Sequence, residues 1–128
     1  MHSFECRVYY EDTDLAGIVY YANYLKFIER ARSEWVRSLG VDQAQIKRET
    51  GVVFAVRRLT ADYLAPAKYD DLLTVTTAPL QISGARIVLD QRAARGEVLL
   101  FAAEVTLVAL GANGAPARLP QVLRGALD

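Results

Sequence analysis

Histidine and cysteine occur once each, as His2 and Cys6, in a chain of 128 residues. A structural zinc site normally draws on four Cys or His ligands, so these two residues exclude one. A Ser-His-Asp or Cys-His device would have to recruit its imidazole from position 2, at the chain terminus. A lone cysteine excludes an intramolecular disulfide and fits a reducing compartment. Net charge is equally scarce: 15 basic residues balance 15 acidic ones. No global field therefore draws the chain to nucleic acid or to an anionic membrane. Long apolar runs are also missing. The longest, Val98 to Ala103, ends at Glu104 and is far short of the roughly 18 residues of a membrane span. The first residues lack a basic stretch followed by an apolar run, so the expected address is the cytoplasm. There is no Gly-x-Gly or Gly-Lys phosphate loop, and nucleotide hydrolysis has no support.

What is there suits a globular domain. The chain is 52% hydrophobic and 23% charged, and its length is that of one domain, taken as residues 1–128. Phe4, Cys6, Val8 and Tyr10 alternate with Glu5, Arg7 and Tyr9, which predicts a half-buried first strand. Leu25, Ile28, Ala31, Trp35 and Leu39 recur at helical spacing, with Lys26, Glu29, Arg30, Glu34 and Arg37 on the other face. This predicts an amphipathic helix of about five turns, stopped at Gly40. Glu29 and Arg32 are spaced to pair across one turn. A short second helix is expected from Asp42, with Gln45 as capping partner, to Gly51. Four strands follow. The first changes phase at Arg57-Arg58, which predicts a bulge. A hairpin turn is expected at Ser83-Gly84, and Val98 to Leu110 reads as a strand covered on both faces, the second by another subunit. Strand, long helix, then four consecutive strands is an α+β order with an antiparallel sheet. His2 is expected to fray, and Cys6 to be a buried, inert thiol.

The run from Tyr9 to Tyr24 is where chemistry concentrates. Glu11, Asp12 and Asp14 crowd just before Gly17 and the start of the long helix. A helix start presents unpaired N–H groups and partial positive charge, which favour an anion or a developing oxyanion. A carboxylate beside it suits a carbonyl polarised by those donors. An amide leaving group would need a proton that this chain has no placed histidine to give. A thiol of pKa about 8.5 leaves as thiolate unaided, so a thioester is a compatible substrate. The same acids also suit a plain helix cap and turn.

Asp12-Thr13-Asp14-Leu15-Ala16-Gly17-Ile18-Val19-Tyr20-Tyr21-Ala22-Asn23-Tyr24 resembles the signature of the 4-hydroxybenzoyl-CoA thioesterase family. Val8 to Asp14, Phe27 to Arg32, Asp62 to Ala67 and Asp70-Asp71-Leu72 resemble its branch of acyl-CoA thioesterases associated with the bacterial Tol-Pal system. The resemblance implies a hot-dog fold, a five-stranded antiparallel sheet wrapped around one long central helix. It implies hydrolysis of a short-chain or aromatic acyl-CoA, with Asp14 as the catalytic carboxylate and Asp12 as turn-former. The implied substrate-binding set is Gly17, Val19, Tyr20 and Tyr21, with the Tyr21 N–H on the thioester oxygen. Tyr21 stands where many members of the Tol-Pal branch carry histidine. Coenzyme A brings three phosphates, and basic residues often lie near the turn between the third and fourth strands; here Arg86 follows that turn, and Arg58 is a further candidate. No metal and no cofactor is implied, coenzyme A being part of the substrate. The implied assembly is a homodimer with active sites at its interface, extending to a homotetramer.

Two other readings compete. One is a non-catalytic module that binds an acyl thioester or acyl-carrier protein, favoured by the balanced charge and the sparsely basic turn. The other is a hydratase or dehydratase on acyl thioesters, which needs a catalytic histidine near the helix; His2 is poorly placed for it.

Overall fold

The structure is a computed structural model and describes residues 1–126; Leu127 and Asp128, the last two positions of the expected domain, lie outside it. Strand β1 (His2–Arg7) leads through a 3-10 turn at Tyr10–Asp12 to helices α1 (Asn23–Ser38) and α2 (Gln43–Thr50). Strands β2 (Val53–Tyr63), β3 (Leu72–Ser83), β4 (Arg86–Arg95) and β5 (Val98–Leu110) follow, then the short helix α3 (Gln121–Arg124). All five strands form one antiparallel sheet in the order β1-β3-β4-β5-β2. The α+β expectation therefore holds. The register of β2 against β5 slips between Val56 and Arg58, at the predicted bulge.

Helix α1 packs on β1, β3 and β4 through Tyr24, Phe27, Ile28, Ala31, Trp35 and Val36. The expected stripe began at Leu25, which is instead exposed. Tyr24 takes the inward place because its ring stacks on Phe101, with centroids 4.8 Å apart. Its hydroxyl also accepts the Ala67 N–H at 3.2 Å, so burial leaves no polar atom unpaired.

One buried polar side chain locks the helix to the sheet. Gln91 of β4 is fully buried. Its Nε2 donates to Ile28 O at 2.9 Å and to Thr77 Oγ1 at 2.8 Å, and its Oε1 accepts from Arg32 Nη1 at 2.9 Å. This replaces the expected Glu29–Arg32 pair: Arg32 turns inward to Gln91, and Glu29 accepts from Ser33 Oγ at 2.9 Å.

Other local expectations need smaller corrections. Tyr10 is exposed, because pairing in β1 stops at Arg7 and the chain turns after Val8. There Val8 N–H donates to Asp71 O and Asp70 N–H to Val8 O, both at 2.9 Å. His2 does not fray but pairs with Thr77 in β1. Cys6 is buried as expected, and burial pushes its thiol pKa up. In β5, Val105, Leu107 and Ala109 are buried, while Ala102, Thr106 and Val108 on the other face are only half-covered. The β3–β4 turn falls at Gly84-Ala85, one residue later than expected. Asp42 caps α2 by accepting the Gln45 N–H at 3.1 Å, but the Gln45 side chain reaches Glu49 rather than completing a capping box. Gly51 ends that helix at φ 77°, where a Cβ would lie 2.9 Å from Ala112 Cβ.

Asp71 pins the loop between β2 and β3. Burial alone would raise its pKa, but it accepts the Lys68 N–H and Arg95 Nη1, both at 2.8 Å. These bonds prevail, and the carboxyl sits below its ordinary value of 3.8.

Two outcomes are expected. Gln91→Ala leaves Thr77, Arg32 and a helix carbonyl without their partner, and denaturant titration should show a loss of about 2–4 kcal/mol. For Asp71 the folded pKa is the lower one. Its contribution is therefore complete above the unfolded value and is lost as pH falls through the folded value. Asp71→Asn should lower Tm at pH 7, and the gap to the unmodified chain should close as the pH drops below about 4. A gap constant with pH would show that the charge on Asp71 is not what stabilises.

Candidate active site

The segment between β1 and α1 is held by backbone bonds in which Asp12 and Asp14 each engage one carboxylate oxygen, while Glu11 is exposed and its carboxylate makes no hydrogen bond among the described residues. Asp12 Oδ2 accepts the Tyr9 N–H at 2.8 Å and closes the 3-10 turn. Its carbonyl accepts both the Tyr20 N–H and Asn23 Nδ2 at 2.9 Å. Asp12 is thus the turn-former expected of it. Asp14 heads a tight reversal: its N–H donates to Ile18 O, and its carbonyl accepts the Gly17 N–H, both at 2.9 Å. Its Oδ1 accepts the Ala16 N–H at 2.9 Å. Its Oδ2 has no protein partner among the described residues, and the side chain is exposed. Gly17 has φ 81° with open space where a Cβ would stand, so here the reversal demands glycine for its backbone angle. Short bridges from Thr13 to Val19 and from Ile18 to Lys68 seat the loop.

The chain then enters α1. Asn23 N–H donates to Tyr20 O at 2.8 Å, and Leu25 N–H to Ala22 O at 3.1 Å. The Tyr21 N–H makes no hydrogen bond among the described residues. It is therefore a free donor at the positive end of a four-turn helix. Beside it lies a hollow of about 340 Å³, lined by Ile18, Val19, Tyr21, Tyr24, Tyr63, Leu64, Ala65 and Pro66. Its wall is aromatic: Tyr63 meets Tyr21, Tyr24 and Phe101 edge-on at 6.1, 5.6 and 5.1 Å. Burial raises the pKa of Tyr24 and of Tyr63, so both hydroxyls stay protonated at neutral pH.

Of the residues singled out from sequence, Val19 and Tyr21 line the hollow, while Asp14 and Gly17 form the reversal before it, which is bonded to the lining residue Ile18. Tyr20 packs edge-on against Tyr21 at 5.0 Å but does not line the hollow. Arg58 and Arg86 are not brought to it. Arg58 pairs with Thr106 and Arg86 with Val108, both on the sheet face away from α1. A cation bonded to the lining of the hollow is one that sequence reading missed: Arg95 Nη1 donates to Pro66 O at 3.3 Å and is held by Asp71. Tyr63 and the Leu64–Pro66 segment were also missed as site residues. Only their place in the Asp62–Ala67 motif marked them. Among the described residues no cluster of three His, Cys, Asp or Glu side chains forms a metal-ligand group, and no helix is long and apolar enough to cross a membrane.

Comparison with known proteins places the chain in a family. The sequence pattern of the thioesterase superfamily matches residues 16–102, starting two positions after Asp14. Acyl-CoA thioesterase YbgC of Haemophilus influenzae is 47% identical over 103 residues, which is 80% of this chain and 76% of that protein. A probable thioesterase from Bartonella henselae superposes with a TM-score of 0.89 at 38% identity, covering 93% of this chain and 98% of the other. A 4-hydroxybenzoyl-CoA thioesterase bound to 4-hydroxybenzoyl-CoA shares the fold, with a TM-score of 0.90 at 24% identity, covering 97% of this chain and 96% of that one. In sequence and in its hot-dog fold, this chain belongs to the thioesterase superfamily.

Proposed function

We propose that this protein hydrolyses acyl-CoA thioesters at Asp14. One observation carries the reading: the exposed Asp14 carboxylate keeps an oxygen free in a loop that leads into α1, and just before that helix the loop offers the unpaired Tyr21 N–H beside an aromatic hollow. The thioester oxygen takes the Tyr21 N–H, which polarises the carbonyl and stabilises the charge that develops on attack. Asp14 then acts in one of two ways. It attacks the carbonyl carbon, giving a mixed anhydride that water opens, or it removes a proton from the attacking water. In both, the C–S bond breaks, and the thiolate departs without needing a proton because its pKa lies near 8.5. The products are a free acid and coenzyme A, and no cofactor enters.

The substrate class is a short-chain or aromatic acyl-CoA, in keeping with the limited size and tyrosine walls of the hollow. Arg58 and Arg86 sit too far round the sheet to serve a hollow on their own chain, so their use for coenzyme A phosphates is assigned to a second copy. We accordingly read the working unit as a homodimer, extending to a homotetramer, in the cytoplasm. Support comes from β2, an unpaired edge of the sheet whose Val56 is exposed, since such an edge readily accepts another strand.

The test is release of free thiol from a panel of acyl-CoAs. Asp14→Asn keeps the Ala16 contact and removes the charge; kcat should fall by about 10²–10⁴ while acyl-CoA still binds. Equal activity of the two proteins would remove Asp14 from the chemistry. Wild type inert toward every thioester would leave the binding-module reading in place of the enzyme.

A further inference from the structure

Tyr21 is a residue whose N–H is asked to hold a geometry, yet it lies outside the regular hydrogen bonds of α1. In a helix its carbonyl would accept the N–H four residues on, from Leu25. Here the Leu25 N–H goes to Ala22 O at 3.1 Å instead. The Tyr21 carbonyl is left to a side chain from the far edge of the sheet: Tyr63 Oη, at the end of β2, donates to it at 3.0 Å. Among the described residues this is the one hydrogen bond that the Tyr21 carbonyl receives. On the other side of Tyr21, the Tyr20 carbonyl accepts the Asn23 N–H at 2.8 Å. The two peptide planes that flank Tyr21 are therefore pinned separately, one by the backbone and one by a phenol.

We propose that Tyr63 is a positioning residue: its hydroxyl clamps the Tyr21 carbonyl and holds the peptide plane that follows Tyr21, so that residue 21 cannot turn about its Cα and draw its N–H, carried by the preceding plane that Asn23 holds, off the thioester oxygen. This rests on the oxyanion role given to that N–H above. The ring of Tyr63 is already fixed by edge-on contacts to Tyr24 and Phe101, so the clamp is preorganised and costs little rotamer freedom on use. Tyr63 thereby has two separable parts. The ring walls the hollow, and the hydroxyl holds the peptide that follows Tyr21.

Tyr63→Phe removes the second and keeps the first. For acyl-CoAs that wild type turns over, kcat should fall about five- to tenfold, the worth of one net hydrogen bond expressed in the transition state. KM should stay within about twofold, as should the affinity for an S-alkyl-CoA thioether, which fills the hollow but has no oxygen for the donor. Backbone order parameters at Tyr21 and Ala22 should fall with those of the rest of α1 unchanged, a readout that needs no turnover. A kcat within about twofold of wild type overturns the proposal. A loss carried by KM or by weaker thioether binding also overturns it and makes Tyr63 a wall alone. Wild type without thioesterase activity overturns the enzyme reading and this role together, whereas active wild type with an unaffected Phe variant overturns this role only.

Discussion

The docking of α1 on one face of the sheet is the constraint from which the site follows. Tyr24, Phe27, Ile28, Ala31 and Trp35 bury one stripe of the helix, and hydrophobic burial fixes which way it faces. Burial alone is non-directional and would tolerate sliding along the axis. Gln91 removes that freedom. Its amide is bonded to a helix carbonyl, to Thr77 and to Arg32 at once, a set that is satisfied at one register only. Since the helix start carries the Tyr21 donor, the register of α1 sets where that donor points.

The second layer of control is local and rests on what each acid of this end bonds and how far it is exposed. Asp12 is committed to the 3-10 turn and Asp71 to the Lys68 loop and Arg95. Each is acceptor to groups that the fold itself must satisfy. Asp14 accepts one backbone N–H in its own reversal and keeps its other oxygen for an outside partner. Asp12 and Asp14 thus each accept one backbone N–H, and what separates them is exposure: Asp12 is half-buried in its turn, whereas Asp14 is open to solvent. That division also explains why Asp14 is followed three residues on by a glycine at positive φ: the reversal faces the carboxylate outward while returning the chain to pair at Val19.

Much of this was legible in the sequence, because the signals were local. The Asp42 cap, the bulge at Arg57-Arg58, the bounds of β5 and the concentration of acids before α1 each follow from residues within a few positions of one another. The Asp14–Tyr21 run was marked as chemical for the same reason, and by its family resemblance. What escaped was non-local. The inward turn of Arg32 depends on Gln91, 59 residues away. Tyr24 displaces Leu25 from the core only because Phe101 and the Ala67 N–H are there to receive its ring and hydroxyl. Tyr63 reads as one more outward or inward residue of an alternating strand until the fold brings it, across 42 positions, to the Tyr21 carbonyl. No periodicity carries such information, since it belongs to pairs that only the closed sheet brings together.

The openness of the site in a single chain bears on how it works. Asp14 and the Tyr21 ring face solvent. A lone N–H donor in water stabilises an oxyanion weakly, because solvent dipoles compete with it; the same donor is far more effective where water is excluded and its direction is fixed beforehand. In the role proposed for the Tyr21 N–H, its surroundings would be held by the bonds of Gln91, Asn23 and Tyr63, but water would not be excluded. It also carries an unpaired sheet edge at β2 and arginines that its own hollow does not use. A second copy paired along β2 would serve both deficits, covering the donor and adding cations for the phosphates of coenzyme A. On this view zero net charge is no obstacle to a polyanionic substrate, since what matters is which charges two copies bring to one cleft rather than the balance within one.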